Sequence, residues 1–321
     1  MDVLSDVVSV MRTGRPVSAR HVLGAPWALR FEPVAGAVAF RVVLRGNCVL
    51  VPPDGDPVAL GSGDVVLLPH GGGHLLADSL ASAADNLDNP DTRGTVDALG
   101  TADLPVVADD LRTPGTTATG TPTGSGTITE TLCGAYELAP HGGHPLLRDL
   151  PAVARISSDG RPELRAAVEL LAGELTHPGL GTAGVIPALL DTLLHYALRT
   201  WLSANGDGWA AALRDPAVAA ALTALHQDPA RPWTVATLAS VGGLSRSPFA
   251  RRFTDLTGQP PVRYLTWWRM TVAARLLRTT DTPLHGIARA VGYHSEFAFA
   301  TAFRRQYGTA PGRYRNSADG K

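Results

Sequence analysis

The residues of this chain best suited to chemistry are arginines, and they are concentrated towards its end. Between Arg231 and Arg315 the sequence has thirteen arginines and three acidic residues, a formal charge of +10. Because the whole chain carries a net charge of -1, the remainder carries -11. An acidic front and a basic rear indicate that the rear part binds a polyanion.

The basic stretch contains an internal repeat with an offset of 50 residues. Ten of the 24 positions from Val241 to Tyr264 are identical to those from Val291 to Tyr314. Such a match indicates one structural unit used twice. The shared residues that bear on structure are Ser245/Ser295, Phe249/Phe299, Phe253/Phe303, Gly258/Gly308 and Pro261/Pro311.

Each copy has the pattern of two short helices joined by a tight turn. Ser245 and Ser295 are predicted N-caps of the second helix in each copy, because a serine hydroxyl can accept an orphan backbone N–H. The two phenylalanines of a copy lie four residues apart and therefore face the same way. Gly258 and Gly308 suit a left-handed helix end. In the second copy, Thr282 is the predicted N-cap of the first helix.

Residues 262–280 are predicted to form a longer helix that joins the two copies. Its predicted apolar side contains Trp267, Ala273, Ala274, Leu276 and Leu277. A helix of the size predicted for each copy fits the major groove of DNA, and arginines around it can neutralise phosphates. The basic segment is therefore predicted to hold a pair of helix-turn-helix units.

The front of the chain has a different character. Residues 1–78 read as strands and turns, which favours an antiparallel barrel or sandwich. Residues 79–130 are rich in Gly, Thr, Pro, Asp and Ala with almost no large apolar side chains, which predicts a mobile insertion. Residues 131–138 return to strand character.

From residue 162 the pattern becomes that of two amphipathic helices joined by a glycine-rich turn, a helical hairpin. The apolar positions of the first helix are Leu164, Val168, Leu171 and Leu175. Those of the second are Ile186, Leu189, Leu190, Leu193, Leu194 and Leu198. The stripe is wide enough for a second copy of the protein to share it, which predicts a homodimer.

Two stretches, "GLSRSPFARRF" and "IARAVGYHSEFAFATAFRRQYGTAPGRYR", resemble the DNA-binding domain of AraC-family transcription regulators. Upstream, "GDVVLLPHGGGH", "LCGAYEL" and "HPLLRDLP" resemble the cupin-type sensor domain of one AraC subgroup. The resemblance implies an α+β protein with a cupin-like β-barrel over 1–160. It also implies a helical hairpin for dimerisation over 161–210. An all-α domain with two helix-turn-helix units is expected over 215–315.

The resemblance also implies which residues read DNA, since in the family the exposed face of each second helix touches base edges. The first helix offers Arg246, Ser247 and Arg251, of which Arg251 is the best suited because a guanidinium can bond both acceptors of guanine. The second helix offers Glu296, Phe297 and Thr301. Phe297 can contact a thymine methyl group and Glu296 can accept from a cytosine amine; alternatively, this copy mostly holds the backbone.

Five further arginines are assigned to phosphates or to local packing, two roles that the sequence does not separate. They are Arg252, Arg263, Arg304, Arg305 and Arg313.

The front domain contains a candidate metal set. Gly63, Pro69, Gly71 and His74 match the second cupin motif, and His70 lies four residues before His74. With Cys133 and His144 from later segments, His70 and His74 would suit zinc or another borderline divalent metal. The alternative is that the histidines are loop residues with backbone partners and Cys133 is a buried thiol, and no upstream HxH pair completes the cupin motif.

We therefore predict a sequence-specific DNA-binding transcription regulator that senses a ligand or metal and is not itself an enzyme. Activation through contact with RNA polymerase is the mode that the family implies. The alternatives are a metal-dependent cupin enzyme fused to a DNA-binding domain and an architectural DNA-binding protein without an effector. The expected partners are double-stranded DNA, RNA polymerase, a small-molecule effector and a second copy, and the expected location is the cytoplasm, with no membrane association.

Overall fold

The computed structural model describes residues 2–11, 17–34, 36–88, 95–96, 126–137 and 144–319. The chain divides into two compact units. The sheet unit comprises Gly14–Leu138 and Leu150–Trp201, and the helical unit comprises Met1–Thr13, Ala139–Asp149 and Leu202–Lys321. This organisation confirms the predicted α+β fold class.

Two five-stranded sheets make up the sheet unit. One has the strand order β1-β9-β3-β6-β10 and the other β5-β4-β7-β2-β8. The strands are β1 Val17–Gly24, β2 Ala28–Phe31, β3 Ala37–Arg45, β4 Asn47–Val51, β5 Val58–Gly61, β6 Val65–Leu68, β7 His74–Ala77, β8 Thr95–Val96, β9 Ile128–Glu137 and β10 Ala154–Ile156.

One buried core lies between these sheets. It combines Leu29 and Phe31 of β2 and Leu50 of β4 with Ala39 of β3 and Ala135 of β9. Successive side chains of a strand point to opposite faces, so alternate residues of each strand fill this core. The double-sheet core matches the predicted cupin-like domain.

A helical hairpin belongs to the same unit. Helix α4 spans Pro162–Thr176 and α5 spans Thr182–Ala204, with Gly181 between them at a φ of 89°. The predicted inward residues of α4 are all buried, and those of α5 are buried except Leu189, which is half-buried. Side chains of α5 and of the β1-β9-β3-β6-β10 sheet, among them Leu190, Leu194, Phe40 and Tyr136, line one small pocket.

Two predictions about the front of the chain are wrong in part. Residues 1–78 are not only strands and turns, because Val3–Met11 forms helix α1 and belongs to the helical unit. The predicted insertion 79–130 begins with helix α2, Leu80–Asp88, and its end enters β9 at Ile128. Residues 89–94 and 97–125 of that insertion lie outside the described residues. Ala139–Asp149 belongs to the compact helical unit although it falls within the predicted 1–160 domain, and the predicted domain boundaries stay a prediction.

The helical unit contains the repeat. Its helices are α1, α3 Pro145–Arg148, α6 Gly208–Arg214, α7 Pro216–Gln227, α8 Val235–Val241, α9 Arg246–Thr257, α10 Pro261–Thr279, α11 Leu284–Ala290, α12 Glu296–Tyr307 and α13 Pro311–Asp319. Helices α8 and α9 form the first copy and α11 and α12 the second copy, with α10 joining them as predicted. The second copy starts at Leu284 with Pro283 as its N-cap, one residue later than predicted from Thr282.

The predicted phenylalanines and terminal glycines stabilise both copies, but the predicted serine cap forms only in the second. The Ser295 hydroxyl accepts from the backbone N–H of Ala298, whereas Ser245 is the N-cap residue of α9 without a side-chain hydrogen bond. Phe249, Phe253, Phe299 and Phe303 are all fully buried, and burying each ring stabilises its helix by about 1.5–3 kcal/mol. Helices α9 and α12 both end at a left-handed glycine, Gly258 and Gly308, with φ of 74° and 72°.

In the part of the chain that the structure describes, no helix is both long enough and apolar enough to cross a membrane.

Candidate nucleic-acid interface

Helix α9 presents a basic face to solvent. Arg246, Ser247 and Arg251 are exposed, because Phe249 and Phe253 turn the opposite face of the helix into the core. Among the described residues, the side chains of Arg246 and Arg251 have no hydrogen-bond or ion-pair partner. Two unpaired guanidinium groups on an exposed helix are suited to guanine edges and phosphates.

Arg252 differs from its neighbour Arg251. Its guanidinium forms an ion pair with the buried carboxylate of Asp215 at 2.5 Å. Asp215 in turn accepts the backbone N–H groups of Ala217 and Val218 and so caps α7. The geometry therefore gives Arg252 a packing role between α7 and α9, while its predicted DNA contact stays a prediction.

Helix α12 presents a different face. Glu296, Phe297 and Thr301 are exposed as predicted, and the ring of Phe297 is 82% accessible to solvent. The basic residues of this helix, Arg304 and Arg305, are exposed but lie in its last turn. An exposed aromatic ring with a carboxylate beside it suits apolar contact with a thymine methyl group and acceptance from a cytosine amine.

Three other arginines of the basic segment hold the unit together. Arg269 donates to the carbonyl oxygens of Pro229 and Arg231 at 2.7 and 2.9 Å. Arg278 donates to the hydroxyl of Tyr314 at 2.7 Å, and Arg315 donates to the carbonyl of Thr282 at 2.6 Å. The sequence charge alone does not separate these structural arginines from the exposed ones, which include Arg263, Arg289 and Arg313.

The four predicted metal ligands do not form one group. Exposed His70 bonds the Leu150 carbonyl through Nε2 at 2.9 Å. His144 belongs to the helical unit, where its Nε2 lies 2.9 Å from the hydroxyl of Tyr264. His74 and Cys133 both lie buried in the sheet unit.

Buried Arg41 accounts for the surroundings of His74 and Cys133. Its Nε donates to His74 Nε2 at 3.0 Å, and it lies opposite Cys133 in the register of β3 and β9. Burial and then Arg41 hold the pKa of His74 well below its usual value. Burial raises the pKa of Cys133, but Arg41 and His21 lower it, with a net lowering.

A guanidinium at this position repels a cation and occupies the nitrogen that a metal would use. Among the described residues, no group of three or more His, Cys, Asp or Glu side chains is arranged to hold a metal. The zinc site therefore stays a prediction, and these contacts give it no support. Sequence reasoning missed Arg41, although a lone arginine inside the apolar run "AFRVVL" is a signal of a special role.

Two helix-turn-helix copies with exposed arginines, joined to a double-sheet domain, define a two-domain DNA-binding protein of the regulator class. The sequence matches the cupin family over residues 2–203 and the helix-turn-helix domain family over residues 238–317.

Full-length relatives agree with this class. The chain is 37% identical to an AraC-like transcription regulator of Streptomyces antibioticus and 35% identical to one of Streptomyces lividans, each over 98% of both chains. It is 28% identical to the transcriptional regulator AlkR of Acinetobacter baylyi, over 99% of this chain and all of that one. The chain therefore belongs to the AraC family of DNA-binding transcription regulators and carries a cupin domain of the kind associated with ligand sensing.

Proposed function

We propose that this protein activates transcription by placing α9 and α12 in neighbouring major grooves of one DNA site. The observation that carries the proposal is the exposed, unpaired pair Arg246 and Arg251 on α9, held outward by the buried rings of Phe249 and Phe253. The surrounding segment has a formal charge of +10, which supplies the salt-dependent attraction to phosphates. RNA polymerase is the proposed partner in activation, and the cytoplasm, where such a regulator meets DNA, is the proposed location.

The experiment selects a binding site for the full-length protein from a pool of random duplexes and footprints it. Protection of two adjacent major-groove segments, with affinity that falls steeply as salt rises, is the expected result. Equal affinity for the selected duplex and for a scrambled one of the same composition would remove sequence-specific regulation from consideration. In vitro transcription from a promoter carrying the selected site then separates activation from repression.

A homodimer formed through the hairpin is part of the proposal. Three apolar residues of α4, α5 and the turn between them are exposed: Leu170 by 62%, Leu180 fully and Val185 by 40%. Exposed apolar side chains grouped on one element are typical of an interface. Sedimentation of Leu170→Glu should show a monomer, whereas Glu169→Ala, an exposed neighbour on the same helix, should remain a dimer.

The cupin domain is proposed to sense a small molecule, which can act only if it binds two arrangements of the dimer unequally. Cell extract should change the footprint or the affinity for DNA, and fractionation should trace this change to one compound. That result would support ligand sensing over a purely architectural role. A metal-dependent enzymatic activity is not favoured by any contact of the described residues.

A further inference from the structure

The helical unit contains a buried row of contacting polar side chains, the polar chain. The two ends of this polar chain come from segments far from the repeat in sequence. Asp6 lies on α1, His144 directly precedes α3, His226 is on α7 and Tyr264 is in the first turn of α10. All four side chains are buried, with at most 7% of each residue exposed. The valines Val3, Val7 and Val10 form the buried face of α1, and α1 packs against α7 and α10.

The contacts fix the direction of each hydrogen bond. The backbone N–H of Leu146 donates to His144 Nδ1 at 3.0 Å, so neutral His144 carries its hydrogen on Nε2. That nitrogen donates to the Tyr264 hydroxyl oxygen at 2.9 Å. The Tyr264 hydroxyl then donates to His226 Nε2 at 2.6 Å.

This leaves the hydrogen of His226 on Nδ1, which faces Asp6 Oδ2 at 3.6 Å. Burial lowers the pKa of both histidines, most strongly for His144, in agreement with neutral rings. Hydrogen bonds therefore join His144, Tyr264 and His226, whereas Asp6 faces His226 Nδ1 through an electrostatic contact just beyond hydrogen-bond distance. Loss of a hydrogen-bonded member leaves a buried polar group unsatisfied.

Aromatic rings hold this chain in place. The ring of His226 stacks on Trp268 with centroids 3.8 Å apart. The ring of His144 meets Trp209 and Trp267 edge-on at 4.6 and 5.2 Å. Because Trp267 and Trp268 both belong to α10, the polar chain and the rings fix the rotation of α10 at its beginning.

The position of α10 determines how the two copies are related. At its start Tyr264 meets Phe253 of α9 with ring centroids 6.0 Å apart. Further along, Met270 and Ala274 share one core with Phe299 and Phe303 of α12. A small rotation of α10 would therefore move α9 relative to α12, and a displacement of about 1 Å is enough to weaken directional contacts.

We propose that Asp6 and His144 are positioning residues for DNA recognition, which act through Tyr264 to set the spacing between α9 and α12. This inference rests on the proposed function, because it concerns the simultaneous use of both helices on one site. According to this proposal, DNA recognition needs α1 and the segment beginning at His144 in addition to the helix-turn-helix repeat.

The test compares two duplexes with the full-length protein. One is the site selected from a random pool, and the other has the segment protected by α12 scrambled. In Tyr264→Phe and Asp6→Leu the ratio of the two affinities should fall by about five- to tenfold, the effect of losing one buried polar contact. Asp6→Asn keeps an acceptor for His226 and should retain the ratio, and Ser9→Ala, exposed on the same helix, serves as the control.

A role limited to stability would lower the amount of folded protein and so weaken binding to both duplexes equally, with no change in the ratio. That outcome overturns the proposal. For a variant that folds poorly, hydrogen exchange at α10 in Tyr264→Phe gives a second measure: unchanged exchange also overturns it. If the wild type selects no duplex, the proposed function fails, while faster exchange of α10 in Asp6→Leu would still establish the structural link.

Discussion

The two helix-turn-helix copies have the same interior and opposite surfaces. With the 50-residue offset, Phe249 and Phe253 correspond to Phe299 and Phe303, and all four are fully buried. At the exposed positions Arg246 corresponds to Glu296 and Arg251 to Thr301. These buried positions are thus the same in both copies, whereas these two exposed positions carry different chemistry.

The difference assigns separate tasks to α9 and α12. Helix α9 carries its unpaired arginines, Arg246 and Arg251, in its first half at positions suited to guanine edges, whereas α12 carries Arg304 and Arg305 in its last turn. The first half of α12 instead offers Phe297, which is 82% exposed. We expect α9 to contribute most of the base recognition and α12 to contribute apolar contact and attraction to the backbone.

The shared interior gives the largest expected effect. Phe253→Ala and Phe303→Ala should each lower the free energy of unfolding by about 3–5 kcal/mol, because each removes a fully buried ring. Phe297→Ala removes an exposed ring and should change the free energy of unfolding by less than about 0.5 kcal/mol. Urea unfolding measures all three, and a much smaller loss for Phe303→Ala than for Phe253→Ala would show that the copies are not equivalent in packing.

Acid should distinguish the copies next, through the tyrosine that follows each of them. The hydroxyl of Tyr264 bonds His144 and His226, with Asp6 and Arg148 as the nearby charges. Tyr314, its equivalent, accepts from Arg278. Both histidines have a lowered pKa when folded, so the unfolded chain takes up protons first as the pH falls.

Stability is therefore complete above the unfolded pKa of about 6.5 and declines as the pH falls below it. Hydrogen exchange should show the loss in α8 and α9 before α11 and α12. The second copy should keep its protection because the Tyr314 hydroxyl bonds Arg278, which stays charged over this pH range. Equal loss of protection in both copies would contradict this assignment.

Arg251→Ala tests the basic surface of α9. It should cost about 1–3 kcal/mol on the selected duplex and relax base preference at one position. Thr301→Ala, at the equivalent position of α12, should cost less. Competition binding against random DNA checks the result, since equal weakening on both DNAs would make Arg251 a phosphate contact only.

Phe297→Ala tests the apolar surface of α12. Loss of contact with a thymine methyl group should cost about 1 kcal/mol on the selected duplex. Phe297→Leu should recover most of that affinity because it retains an apolar side chain. If neither variant changes binding, α12 makes no apolar base contact and serves to hold the backbone.

Arg304→Ala and Arg305→Ala should give the smallest effect on specificity. Each should reduce the slope of log affinity against log salt by about one, with equal weakening on specific and random DNA. Binding isotherms over a range of salt concentrations measure this slope. A change in base preference instead would transfer part of the recognition to the end of α12.

The repeat was predictable because its signals are local. Serine caps, phenylalanines four apart and a terminal glycine fall within 14 residues of each other, from Ser245 to Gly258, so periodicity and turn chemistry predict the helices. The exposed face then follows from the buried one. The packing of α4 was predictable for the same reason.

Contacts between distant segments were not predictable in this way. Nothing in the spacing of Asp6, His144 and Tyr264 indicates that they meet, and residue type instead predicts that His144 lies with His74 and Cys133. Arg252 and Arg251 are neighbours of identical chemistry, and only the position of Asp215 separates their environments. Residue type predicts what a group can do, whereas its tertiary partner decides which option is realised.

The pairing of β1 with β9 affects how this protein can be divided for engineering. Val17 at the beginning of β1 lies opposite Ala135 near the end of β9, and the chain continues from these strands to α1 in one direction and to His144 in the other. A chimera that exchanges sensor domains by joining two proteins near residue 205 would separate α1 and His144 from the DNA-binding helices of their own protein. The DNA-binding unit of such a chimera would then lack two segments of its own buried core. A functional chimera must therefore keep α1 and the segment at His144 together with the DNA-binding unit to which they belong.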